Sequence, residues 1–147
     1  MSRNVRIAAT VARYLLGLIF FVFGLNGFLH FLPMPPMPGP AGALMGAFAA
    51  TGYMFPMIKG TEVLGGLLLL SNRMVPFALV LLAPIIVNIL AFHTVLTPPN
   101  PMAFMLVALE AFLGWAYFSA FRPMFTTRSL PSAESASDPV DATPAKA

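Results

Sequence analysis

Four apolar stretches, at residues 12–31, 54–70, 74–93 and 102–121, dominate the chain, and each ends where proline or a polar cluster stops it. A helix needs about 20 predominantly apolar residues to cross the hydrocarbon core of a bilayer, within a range of about 17–25. All four stretches meet that requirement. The second does so least comfortably, being the shortest and containing Lys59 and Glu62. The expectation is an all-α integral membrane protein, a four-helix bundle.

The links between the stretches fit this division. Residues 33–40 are locked out of helix by their prolines, which lack the amide donor and restrict the preceding residue. Ser71, Asn72 and Arg73 form a tight polar turn, and Thr97 to Pro101 is a second proline-locked loop. Between the first two spans, residues 41–51 are rich in Gly and Ala, with Gly42, Gly46 and Ala50 on one stripe. Small residues at that spacing let helices approach closely. The segment is too short to cross, so it is expected as a short helix lying in the interface or across the mouth of the bundle. From 126 to 147 the composition turns to Ser, Ala, Pro and Asp, which marks a disordered cytoplasmic tail. The first stretch follows Arg3 and Arg6 but is too long for a signal-peptide core, so it reads as a retained helix.

Composition narrows the function classes. Only 9% of the residues are charged, against about 25% in soluble domains, too few to cover a water-facing surface of this size. The net charge of +3 comes from basic residues at the ends of apolar runs, which is an orientation signal and not a nucleic-acid footprint. The absence of cysteine excludes disulfides, thiolate metal sites and redox chemistry by the chain's own thiols. Two histidines are too few for a histidine-only zinc site, and no metal is expected.

Arg3, Arg6 and Arg13 precede the first span, Arg73 separates the second from the third, and Arg122 and Arg128 follow the fourth; the other two connections contain no Lys or Arg. The positive-inside rule then puts both termini and the Arg73 turn in the cytoplasm. In that frame Asn26 and His30 lie near the outer end of the first span, Lys59 and Glu62 near the outer start of the second, and Asn88 and His93 near the outer end of the third. Glu110 lies eight residues past Met102, about 12 Å down the fourth at helical rise.

Charged groups in hydrocarbon cost about 2.5–3.5 kcal/mol each even on the insertion scale. These side chains should therefore converge on one polar pocket, open to the outside and built by all four helices. Glu62 is the candidate proton donor or acceptor and Glu110 a second; Asn26, His30, Lys59, Asn88 and His93 are candidate ligand contacts. Gly66 and Gly114 would draw helices together below the pocket, and Pro84 would kink the third span and widen the mouth.

Plainer readings stand beside these. Lys59 and Glu62 form an ion pair that only aids packing, or Lys59 snorkels to the interface. Glu110 is a protonated structural carboxyl. The asparagines are interhelical hydrogen-bond partners. The histidines sit at helix ends without a special role. Axial haem ligation by His30 and His93 is disfavoured, because His93 is five residues from Asn88 and off its face.

The run Glu62-Val63-Leu64-Gly65-Gly66-Leu67-Leu68-Leu69 resembles the Glu-x-x-Gly-Gly-x-x-Leu pattern of the second helix in the DoxX family of small four-helix membrane proteins. Arg13, Phe23-Gly24, Asn26-Gly27-Phe28, Arg73 and Phe92-His93 agree with it, over about residues 7–125. Many members carry a lysine shortly after the first-helix glycine; here that region reads Gly27-Phe28-Leu29-His30. The resemblance implies a bacterial inner-membrane protein working beside a redox system, with some members similar to the membrane subunit of a thiosulfate:quinone oxidoreductase and others to maturation factors.

Three functions remain open at this point. The first is a membrane subunit that binds a quinone or similar small molecule in the outer pocket. The second is a non-catalytic assembly or anchoring protein for a redox partner, with the Gly42–Gly46 stripe as a contact between copies or partners. The third is a small transporter or channel, for which no inverted repeat is visible.

Overall fold

The computed structural model describes residues 2–125, and the tail expected over 126–147, with Arg128, lies outside them. Among the described residues all regular secondary structure is helical, with no strand. Helix α1 spans Arg3–Leu29, α2 Gly39–Ala50, α3 Met54–Leu70, α4 Val75–Ala91, α5 Pro101–Ala116 and α6 Phe118–Phe121. A π-helical turn, Phe92–Leu96, prolongs α4, and a 3-10 turn, Arg122–Phe125, follows α6. By length and composition, two helices among the described residues could cross a membrane, Arg3–Leu29 and Val75–Leu96, or up to four if each of two bent pairs forms one span.

The boundaries differ from the hydropathy reading in two places. Helix α1 begins at Arg3, well before residue 12, because residues 3–11 contain no Gly or Pro and Ser2 accepts a hydrogen bond from Val5 N (3.5 Å). Helical hydrogen bonding needs no apolar side chains, so the helix outruns its apolar part. The single helix expected over 102–121 is instead broken at Tyr117, and the pieces Pro101–Ala116 and Phe118–Phe125 meet at 75°. Tyr117 leaves the helical region (φ −101°, ψ 15°) after its amide bonds to Leu113 O. Gly114, in the turn just before, is a weak helix former.

The short helix expected over 41–51 is α2. Pro40 stands in its first turn, where a missing amide costs nothing. It meets α3 at 93° through Gly52, whose φ of +73° is open to glycine. Thr51 Oγ1 accepts from Met54 N at 3.2 Å and so caps the start of α3. Phe48 and Phe55 then pack edge to face across the corner, ring centroids 6.2 Å apart.

The closest packing is between α1 and α3, which run antiparallel. A Cβ on Gly66 would lie 2.5 Å from Phe21 N, and one on Gly24 2.8 Å from Val63 N, so the two backbones touch. Only glycine allows that approach. On the other side of α3, Gly65 receives the Leu82 side chain of α4. Helix α5 completes the packing against α1 and α4. Leu16, Leu69, Leu82, Ile86 and Leu113 are fully enclosed. The outward faces are apolar as well, with Val11, Leu18, Leu67, Val80, Val87 and Phe104 all exposed. A helix apolar on its inner and its outer side suits lipid.

Arg13 is buried at 4% exposure, near the C-terminal end of α3. Its Nη1 donates to Leu69 O, and its guanidinium lies 4.4 Å from the centre of the Tyr14 ring. A cation at a helix C-terminus meets the negative end of the helix dipole.

Candidate functional site

The end of the molecule opposite Arg13 holds the polar residues of α3 and α4. Lys59 and Glu62, three apart on α3, form an ion pair with Nζ 2.8 Å from Oε2. The Glu62 side chain is almost wholly enclosed, and that of Lys59 is about one-fifth exposed. Helical spacing puts the two on one face. The neighbouring helix sets their positions, because Gly24 rests against the Glu62 Cβ and Gly27 against the Lys59 stem. Any side chain at either position would collide with the pair.

The pair walls two cavities. The larger, about 410 Å³, lies between α2, α3 and α4. Its polar rim is Lys59, Glu62, Asn88 and His93, and its apolar walls include Met37, Met45, Phe48 and Ile85. The smaller, about 250 Å³, lies on the α1 and α5 side of the same pair, and Ile89 and His93 border it too. Methionine and aromatic side chains give such a wall an adaptable surface.

Four of the residues singled out from sequence therefore meet at one cavity: Lys59, Glu62, Asn88 and His93. His93 reaches it because it stands four residues after Ile89 and eight after Ile85, which line the same cavity, so helical spacing puts the three on one face. His93 Nδ1 lies 2.9 Å from Ile89 O. A carbonyl only accepts, so Nδ1 carries the hydrogen, and in the neutral ring Nε2 remains an acceptor. Among the described residues the Asn88 amide meets no hydrogen-bond partner.

The other three lie elsewhere. Asn26 is buried and spends its amide on the loop: its Oδ1 accepts from Leu32 N at 2.6 Å, and its Nδ2 donates to Leu32 O at 3.4 Å. It fixes the chain as it leaves α1 and borders neither cavity. His30 closes α1 in the left-handed conformation (φ 52°), with its amide bonded to Asn26 O, and is exposed. It borders neither of the two cavities, whereas His93 borders both. Glu110 borders neither cavity; its Oε2 is buried and has no partner among the described residues. The packing glycines divide in the same way. Gly66 sits against Phe21, but Gly114 has open space within 4 Å among the described residues. On α2, a Cβ on Gly42 would meet the Met37 carbonyl, and one on Gly46 meets nothing within 4 Å among the described residues.

Sequence reasoning passed over Gly24 and Gly27 as site residues, although they appear in the motif that carries the DoxX resemblance. It also passed over the methionines at 37 and 45, where clustering of Met between residues 34 and 57 was the available signal.

Chemically, the cavity offers ammonium protons from Lys59, carboxylate oxygens from Glu62, an amide that both donates and accepts, and an imidazole acceptor. All stand at the edge of an apolar chamber, which suits a ligand with an apolar body and an oxygen-bearing head. No family model, curated protein or solved structure matches the chain.

Proposed function

We propose that this chain is a DoxX-like protein of a bacterial inner membrane that binds a quinone, or a similar small molecule, at the cavity walled by Lys59, Glu62, Asn88 and His93. It would serve as the membrane subunit of a redox system. The observation that carries the reading is the meeting of these four side chains beside an otherwise apolar space of about 410 Å³. That volume falls within the range of about 300–1,000 Å³ typical of small-molecule sites.

A quinone head group would accept hydrogen bonds from Lys59 and Asn88, and its reduced quinol form would also donate one to His93. Glu62, held against Lys59, is the group placed to accept or donate a proton when the ligand changes protonation. Four spans are proposed, with both termini and the Arg73 turn cytoplasmic, so that the cavity lies toward the outer side. In support, the two connections at the cavity end contain no Lys or Arg.

Equilibrium binding in lipid nanodiscs tests the reading. A decyl-tailed benzoquinone is titrated into wild type, Glu62→Gln and Glu110→Gln. Glu62→Gln removes the carboxylate that holds the Lys59 ammonium in place; loss of one charge-assisted hydrogen bond costs about 1.5–3 kcal/mol, so binding should weaken about ten- to hundredfold. Glu110→Gln, outside both cavities, should bind as wild type does. Equal affinity in all three would remove the assignment. Absence of binding in all three would move the account to the assembly or anchoring role, with Lys59 and Glu62 as a structural pair.

A further inference from the structure

We infer that the ligand reaches the larger cavity sideways from within the lipid, through a window rimmed by Pro84 and Asn88 of α4, and that it carries an extended apolar tail which stays in that window. This rests on the small-molecule reading above and adds the route and the ligand class.

Exposure around the cavity is uneven. Of its lining residues, Pro84 and Asn88 are exposed, and every other one is partly or fully buried. They are four apart and so share one face of α4. The end of the cavity is covered instead: α2 crosses it at 93° to α3, with Met45 and Phe48 facing the interior. The space is thus closed at its end and open at its side.

Depth identifies what lies outside that opening. Pro84 and Asn88 stand nine and thirteen residues into the apolar run Val75–Leu96, about 14 and 20 Å along it at helical rise. If that run crosses a bilayer, both open onto hydrocarbon and not onto water. Val80 and Val87, exposed on the same helix, are apolar, as lipid requires. A water-soluble ligand would have to leave water to find the window. A lipid-borne one meets it by lateral diffusion.

Asn88 gives the second, independent argument. An unpaired amide facing hydrocarbon costs several kcal/mol, and this one meets no partner among the described residues. A polar atom of the incoming head group would satisfy it at the threshold. The chamber, about 410 Å³, is near the lower end of ligand-site volumes. It can hold a ring and its substituents, and a long chain must trail out through the window.

Photolabelling of the full chain in lipid nanodiscs tests this. The probe is a benzoquinone whose decyl tail carries a diazirine, and only labelling that excess unlabelled decyl-benzoquinone displaces is counted. Displaceable adducts are expected on α4 around residues 84–91 and on the facing residues 54–58 of α3. Adducts confined to the lining of the smaller cavity, such as Phe23 and Leu106, would overturn the window. No displaceable adduct anywhere would overturn the window and the quinone reading together. In Glu62→Gln, loss of the window adducts supports the head group lying at Glu62. Adducts persisting at the same residues would keep the window and remove only that head-group assignment.

Discussion

Gly27 of α1 lies directly against the aliphatic stem of Lys59 on α3, so that a methyl group at position 27 would fall on the Lys59 Cγ and Cδ atoms. A glycine on one helix thereby sets where the ammonium on the next helix can stand, and with it the 2.8 Å contact to Glu62. Gly27→Ala should push the ammonium off Glu62 and weaken ligand binding about tenfold, equivalent to about 1.4 kcal/mol. Gly60→Ala is the control, since a Cβ there meets nothing within 4 Å among the described residues. Binding isotherms of the two variants that coincide would remove the positioning role of Gly27.

The two glycines expected to draw helices together should now separate in stability. A Cβ on Gly66 would sit 2.5 Å from Phe21 N, whereas one on Gly114 meets only open space among the described residues. Overpacking costs about 1–3 kcal/mol, so Gly66→Ala should lower the melting temperature by several degrees. Gly114→Ala should leave it unchanged or raise it, since alanine is the better helix former by about 1 kcal/mol. Thermal melts in detergent decide between these, and equal shifts would contradict the packing described.

Arg13 is more than a topological charge if its bond to Leu69 O matters. Leu69 O also accepts from Asn72 N at 3.2 Å, so removing Arg13 does not orphan the carbonyl. The loss is the charge at the helix end and one charge-assisted bond, about 1–2 kcal/mol. Arg13→Met should melt a few degrees lower, and Arg13→Lys should recover part of that. A melt identical to wild type for Arg13→Met would show that the contact contributes nothing.

Topology is directly accessible because the chain has no cysteine, so each introduced thiol is the only one. Met34→Cys and Asn72→Cys stand in exposed connections at opposite ends of the helices. In spheroplasts a membrane-impermeant maleimide should label Met34→Cys and spare Asn72→Cys until the membrane is opened. The reverse pattern would invert the molecule and place the cavity toward the cytoplasm.

How far these features could be read beforehand varies by element. Helix α3 runs over the same 54–70 that hydropathy marks, because proline and polar residues flank an unbroken apolar run. The meeting of Lys59, Glu62, Asn88 and His93 was legible from depth alone: polar side chains at one level of neighbouring helices have few other places to go. The break at Tyr117 was not, since no proline marks it. Asn26 looked like a pocket residue by spacing, but its partner is Leu32 in the loop, and loop geometry is invisible to helical periodicity. Glu110 sits at the expected distance along its helix, yet it borders neither cavity, because depth specifies height and not rotation.

The central claim, a ligand held beside Lys59 and Glu62, is tested most directly by mass spectrometry of small molecules extracted from the protein. Wild type and Glu62→Gln are purified side by side in native-lipid particles. The account expects a quinone-class molecule enriched over bulk membrane in wild type and reduced to the bulk level in Glu62→Gln. Extracts in which neither protein enriches any small molecule would contradict it.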